Sequence, residues 1–242
     1  MSTPRFYCSS SLTGAVQIQL EPNAARHAAK VLRLRRGDQI VLFDGSGGEY
    51  EASIHDVDRY GVVVDVGKFQ PVDREPALKI CLAQGLATGD KMDTILQKAV
   101  ELGATYFQPL ATRKSVVRLT EERAERRASH WQQVAISACE QCGRNQVPEI
   151  LAVEEIGEWV SKPMTGLRLM LAPNAPQRLV DLPKPTDKVT LLVGPEGGFT
   201  DAEVGLALNA GYTPVRLGPR VLRTETAGLA TLAAMQSLWG DF

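Results

Sequence analysis

Leu191–Thr200 reads LLVGPEGGFT: an apolar run that stops at Gly194-Pro195, passes Glu196, Gly197 and Gly198, and gives way to Phe199-Thr200. A loop with so little side chain lets a ligand approach the main chain closely and leaves amides unpaired. It is not a Walker phosphate loop, because no Gly-Lys-Ser/Thr comes after it, and G-x-G-x-x-G occurs nowhere in the chain. Two further apolar runs end alike, LMLAPNA at Ala172-Pro173 and VRLGPRVLRTETAGLA at Gly218-Pro219. One Gly-Pro is as readily a strand terminator as part of a site. Three in one parallel sheet would put their loops on one edge, where ligands of open α/β sheets bind. That favours a shared small-molecule site.

Other chemistry-bearing residues are sparser. Cys139-x-x-Cys142 has no second cysteine pair, and His27, His55 and His130 are scattered, so no metal site is expected. Glu140, Gln141, Arg144 and Asn145 are expected at the exposed end of a helix, for contact with RNA or a partner subunit. Arg26, Lys30, Arg33, Arg35 and Arg36, with Arg5 nearby, form one basic cluster, and Arg113, Lys114 and Arg118 a second. Each suits phosphate neutralisation, or is simply a solvated face. Arg123, Arg126 and Arg127 alternate with Glu121, Glu122 and Glu125, as on an ordinary salt-bridged surface.

The elements that would position these residues fall into two groups. AVQIQL, QIVLFD, EYEASIHDV and YGVVVDVGKF read as strands separated by Gly/Asp/Ser turns. AARHAAKVLRLR reads as a short helix capped by Asn23, with Ala24, Ala28, Val31 and Leu32 on its apolar side. Together they suggest a small β-barrel with one inserted helix. QPVDREPA (Gln70–Ala77) reads as a linker, dividing the chain into residues 1–72 and 73–242. Beyond it strands alternate with helices, which implies a mainly parallel sheet covered on both faces. DKMDTILQKAVELG places Met92, Ile95, Leu96, Ala99 and Val100 on one face and stops at Gly103. A long helix comes next, with Trp131, Val134, Ala135, Ala138 and Cys142 on one face. Helices are also expected at about Asp201–Ala210 and Glu225–Trp239. The first has a Thr200/Glu203 capping box and a Phe199/Val204 staple, and Thr224 is expected to cap the second.

Composition bounds the partners. The 242 residues carry a net charge of -1, which excludes a tail-driven or histone-like polyanion binder. Residues 1–40 nevertheless hold six Lys/Arg against two acids, and residues 41–76 eight acids against three bases. That asymmetry points to a local basic face. With 44% apolar residues, no signal-peptide pattern and no apolar run long enough to cross a bilayer, a cytoplasmic protein without membrane contact is expected. Four cysteines do not make a disulfide scaffold.

LLVGPEGGFT together with LGPRVLRTETA resembles the two C-terminal motifs of the SPOUT methyltransferases. CEQCGRNQVPEI and HAAKVLRLRRGD narrow the likeness to the bacterial 16S ribosomal RNA uridine-N3 methyltransferase (RsmE) family, over nearly the whole chain. The resemblance implies an α/β domain with a trefoil-knotted, mainly parallel sheet, preceded by a PUA-like β-barrel. It implies a homodimer that takes S-adenosylmethionine and acts on 16S rRNA of the small ribosomal subunit.

Mapped onto this chain, the resemblance assigns the cofactor to Leu171, Ala172 and Pro173, to Gly194, Pro195, Glu196, Gly197 and Gly198, and to Leu217, Gly218, Leu222, Thr224, Thr226 and Ala227. Methyl transfer to the uridine N3 needs an acceptor for the N3 proton and a positive group beside O2 or O4. Arg220 and Arg223 are the candidates for the positive groups. Glu225 is a candidate base, and equally an acid that complements a helix dipole. Glu196 is either a polar cofactor contact or a loop stabiliser. Two other readings remain: a SPOUT enzyme with another RNA target, and a non-catalytic RNA-binding assembly factor with a vestigial pocket.

Overall fold

The computed structural model describes residues 3–116 and 120–242 and divides into two compact units. Arg118 lies outside the described residues. The first unit comprises residues 1–75 together with 139–147, and the second residues 76–138 and 148–242. The first is therefore not one contiguous stretch of chain.

In the first unit, β1 (Arg5–Tyr7), β2 (Gln17–Gln19), β3 (Gln39–Phe43), β4 (Glu49–Val57) and β5 (Val62–Gln70) form a sheet in the order β1-β3-β4-β5-β2. Only β1 and β3 pair in parallel. Register shifts in β4 at Tyr50/Ala52 and Ile54/Asp56 mark bulges, which bend a strand and increase its twist. Phe6, Leu12, Ile40, Leu42, Ile54 and Val64 fill the core against this sheet.

The inserted helix differs from expectation. Helix α1 (Pro22–Arg26) starts after Glu21 with no side-chain cap, so Asn23 is not its cap. From His27 to Val31 the chain makes a π turn, with the Leu32 N–H donating to the His27 carbonyl at 3.0 Å. A π turn inserts one residue per turn and so rotates the side chains beyond it about the helix axis. Ala25 and Ala28 are buried, whereas Val31 and Leu32, expected on the apolar side, face solvent.

Segment 139–147 is held by charge. Glu75 accepts from the Asn145 and Gln146 amides at 2.9 Å each, from Arg144 Nε at 2.9 Å, and pairs with Arg144 Nη2 at 2.8 Å. Arg5 donates to Glu49 at 2.5 Å and to Asn145 Oδ1 at 2.6 Å, and lies over the Phe43 ring at 5.0 Å. Arg74 reaches the same Glu49 oxygen at 3.0 Å. Arg144 and Asn145 are buried and Glu140 is half-buried; Gln141 is exposed. The expectation of an exposed helix end holds for Gln141 and fails for the other three, because their polar groups are spent on Glu75, Arg5 and, for Glu140, the Tyr7 amide. Cys139, rather than Cys142, is the buried cysteine here, and burial pushes its thiol up to about 12.

The second unit is a parallel sheet. Its strands are β6 (Ile80–Gly85), β7 (Ala104–Ala111), β8 (Glu149–Ile150), β9 (Glu154–Glu155), β10 (Leu167–Leu171), β11 (Gln177–Arg178), β12 (Val189–Val193) and β13 (Thr213–Arg216), in the order β11-β13-β10-β12-β6-β7-β8, with β9 also on β7. Helices α2 (Lys91–Glu101), α3 (Glu121–Cys142), α4 (Ile156–Ser161), α5 (Asp201–Asn209) and α6 (Thr224–Trp239) complete the fold, α3 running on into segment 139–147. Every residue of β12 is buried, as a central strand covered on both faces requires. One face packs Ala83, Met170 and Leu192 against Trp159, Ala207 and Tyr212. On the other, a methyl group on Gly228 of α6 would meet Leu82 and Val193 at 3.7 Å, so that helix lies close to the sheet. The expected core faces of α2 are buried, and α3 buries Trp131, Ala135 and Ala138.

Candidate active site

The three strands that end in Ala-Pro or Gly-Pro are neighbours, β13 beside β10 beside β12, all parallel. Their C-terminal loops therefore converge, and they enclose a pocket of about 510 Å3. Leu171, Ala172 and Pro173 line it from β10, and Gly194, Pro195, Glu196 and Gly198 from β12. Leu217, Gly218, Leu222, Thr224 and Ala227 line it from the last loop and α6, together with Arg220, Arg223 and Glu225. Two expected residues are absent from the lining. A methyl on Gly197 would sit 2.9 Å from Lys114 Cβ, so this glycine serves close packing under Lys114. Thr226 is exposed on α6, outside the pocket.

The loop between β12 and α5 is fixed from both ends. At α5 the capping box is complete: Thr200 Oγ1 accepts from the Glu203 amide at 3.3 Å, and Glu203 Oε2 accepts from the Thr200 amide at 2.7 Å. Glu203 Oε1 also accepts from the Arg113 amide at 2.8 Å. Phe199 and Val204 pack together on the same core cluster. At the β12 end, Gln84 is fully buried and donates to the carbonyls of Gly194 at 3.3 Å and Gly85 at 3.0 Å, and to Thr224 Oγ1 at 2.9 Å. Thr224 passes the link on, its hydroxyl donating to Gly194 O at 2.6 Å. Thr224 is thus not the helix cap. Arg223 holds that position without a side-chain bond, and Thr224 is the first helical residue.

Glu196 accepts from the Thr88 amide at 3.0 Å, the Thr88 hydroxyl at 2.7 Å and Lys91 Nζ at 2.9 Å. Burial raises its pKa, but these bonds outweigh it and hold the carboxyl at about 2. Lys91 Nζ also lies 3.8 Å from Glu225 Oε2, a buried oxygen with no hydrogen-bond partner. Arg220 and Arg223 are exposed at the pocket rim, and among the described residues neither enters an ion pair. The pocket thus offers apolar walls, glycine-rich main chain, one spare carboxylate oxygen and two uncommitted guanidinium groups.

The roles of Gln84, Thr88 and Lys91 are not legible from sequence. Their partners are 105 to 140 residues away, beyond the reach of periodicity. Gln84 leaves one signal, a polar residue closing the apolar run ICLAQG. Arg26, Lys30, Arg33, Arg35 and Arg36 are all exposed, as are Arg113 and Lys114. Arg5 is half-buried and Arg144 buried, and both are engaged in ion pairs, with Glu49 and Glu75, which counts against the expected RNA contact. Among the described residues no cluster of His, Cys, Asp and Glu is placed to hold a metal, and no helix is long and apolar enough to cross a membrane.

The chain matches two family models, an RNA methyltransferase domain over residues 74–236 and an RNA methyltransferase PUA domain over residues 20–66. It is 32% identical to the ribosomal RNA small subunit methyltransferase E of Buchnera aphidicola, over 98% of this chain and 97% of the relative. The chain belongs to the small-subunit ribosomal RNA methyltransferase E family. A crystal structure of such an enzyme from Neisseria gonorrhoeae, bound to S-adenosyl methionine, is 40% identical with a TM-score of 0.92, and each chain is covered in full. A Legionella pneumophila methyltransferase in complex with the same cofactor reaches a TM-score of 0.96 at 38% identity, again over the whole of both chains. The family read from LLVGPEGGFT and LGPRVLRTETA, narrowed by CEQCGRNQVPEI and HAAKVLRLRRGD, is therefore the one found, and so is the fold class of a mainly parallel α/β sheet with an N-terminal PUA-like unit.

Proposed function

We propose that this chain methylates N3 of a specific uridine in 16S rRNA of the small ribosomal subunit, with S-adenosylmethionine held in the pocket of β10, β12 and β13. One observation carries the reading: three neighbouring strand ends close a main-chain-rich pocket beside Arg220 and Arg223, which enter no ion pair among the described residues. The residues fit such a cofactor. Leu171, Val193, Leu217 and Leu222 offer apolar surface to a purine, Gly194 and Gly198 expose main chain, and a Glu225 oxygen that accepts no hydrogen bond among the described residues suits a cationic ligand. S-adenosylmethionine supplies an electrophilic methyl group.

The protein's own part is to position the base and to manage one proton and one charge. N3 is a poor nucleophile until its proton leaves. Glu225 accepts that proton; Lys91 Nζ stands 3.8 Å from its Oε2. Arg220 and Arg223 offset the negative charge that develops on O2 or O4. Glu196 is a loop stabiliser, since three donors already occupy one of its oxygens.

The first unit carries the RNA through Arg26, Lys30, Arg33, Arg35 and Arg36, and Arg113 and Lys114 give the second unit an exposed basic pair of its own. The working form is a homodimer in the cytoplasm, and the catalytic domain is threaded as in the SPOUT superfamily. The test is transfer of labelled methyl from S-adenosylmethionine to small subunits lacking the modification, with nucleoside analysis of the product. A single 3-methyluridine is expected. Cofactor binding without incorporation would leave the pocket reading standing and overturn the RNA target. Absence of both would favour a non-catalytic assembly factor.

A further inference from the structure

Val31 and Leu32 are exposed apolar residues within the most basic stretch of the first unit, residues 26–36. They are 66% and 40% exposed, and they sit among exposed Arg26, Lys30, Arg33, Arg35 and Arg36. Regular α-helix would have turned both inward below Ala28. The π turn at His27–Val31 turns them out instead, and Leu34 takes the place against the core. Arg33 then adopts φ 55, among the described residues the one non-glycine in the left-handed region. That conformation is costly for a side chain with a Cβ, and π turns and backbone strain both gather at functional sites. The turn is well held from below. Ala25 and Ala28 are buried, the Leu34 amide donates to Ala28 O at 2.9 Å, and the Arg35 amide donates to Asp38 Oδ2 at 2.7 Å.

We infer that Val31 and Leu32 form an apolar wedge that fills the gap beside an unstacked base in folded RNA, while the surrounding cations neutralise the flanking phosphates. The inference rests on the reading that this basic face binds rRNA. The charges select a polyanion but carry no sequence or shape information. Two aliphatic side chains at the centre of that charge have no use for a phosphate. Aliphatic wedges of this size enter disrupted base steps, and folded RNA presents such sites at bulges and internal loops. A continuous A-form duplex offers no such opening.

The test compares Val31→Ser/Leu32→Ser with Arg35→Ala/Arg36→Ala in the full chain. Affinity is measured at several salt concentrations for unmodified small subunits and for a perfectly paired RNA duplex. The apolar double variant is expected to lose about tenfold on small subunits, to keep the wild-type salt slope, and to bind duplex unchanged. Val31→Met/Leu32→Met should retain wild-type affinity, which separates loss of the wedge from loss of the fold. The charge variant should weaken both ligands and flatten the salt slope. Unchanged small-subunit affinity in the apolar variant overturns the wedge. If the charge variant still responds, the RNA face stands without it; if neither responds, the RNA face falls too. Equal loss on duplex and subunit overturns the unstacked-base site. So does wild-type binding to anionic phosphatidylserine vesicles that the serine variant loses, which would make the occupant a lipid surface.

Discussion

The Thr224 hydroxyl donates a 2.6 Å hydrogen bond to the carbonyl oxygen of Gly194, tying the first turn of α6 to the end of β12. Gln84 closes the triangle by donating to both. Arg223 and Glu225 flank Thr224, so this buried staple sets where the candidate catalytic groups stand. Thr224→Val keeps the shape and removes the donor. It is expected to cost about 1–3 kcal/mol and to weaken S-adenosylmethionine binding, whereas Thr224→Ser should restore both. Thermal melting and calorimetry of the three proteins check this.

Arg223→Ala is expected to lower turnover by about 100-fold or more while leaving cofactor affinity nearly unchanged, as for loss of a group that stabilises developing charge. Single-turnover kinetics beside cofactor titration separate the two quantities. Equal losses would make Arg223 a cofactor contact instead.

The acid limb of stability should report Glu196. Its carboxyl is held at about 2, against an ordinary 4.5, by Thr88 and Lys91. A depressed folded pKa gives stabilisation that is complete above the ordinary value and lost as pH falls through the folded one. The contribution should therefore fade between about pH 4.5 and pH 2. Glu196→Gln should flatten that stretch of the curve and leave neutral pH little changed in slope, as read from urea midpoints.

Glu75→Ala removes the acceptor for two backbone amides and one ion-pair partner of Arg144, whose side chain is 6% exposed. Breaking a buried pair from one side costs about 3–5 kcal/mol. A fall in denaturant midpoint of that order is expected. A midpoint equal to wild type would mean that the Glu75 carboxylate does not hold segment 139–147 in place.

Gly85→Ala would place a methyl 2.5 Å from Pro195 Cδ and 2.7 Å from Pro195 N. Backbone cannot yield as a flexible side chain does, so the loop after β12 must shift. Cofactor affinity should drop, with the first unit unaffected, as measured by calorimetry and by amide exchange.

The features legible in the sequence are local. The α5 capping box, the α2 core face and the three Gly/Ala-Pro strand ends each depend on residues within one or two turns of each other. The concealed ones depend on distant partners or on one inserted residue. Gln84, Thr88 and Lys91 acquire their roles only when β6 and β12 pair. A helical repeat of 3.6 projected through a π turn misplaces Val31 and Leu32. Arg144 reads as a surface cation because its acid partner lies 69 residues earlier.

Residues 139–147 belong to the unit that begins at the N-terminus, so the chain passes from one unit to the other at residues 75, 138 and 147. During synthesis, Glu75 emerges long before Arg144, Asn145 and Gln146, which satisfy it. The nascent first unit must wait, with its acidic anchor hydrated, until more than half of the polypeptide has been made. A fragment ended at residue 75 would lack those partners permanently. A cut between the units would yield a damaged module, and swapping the RNA-binding part between homologues would require exchanging both stretches together.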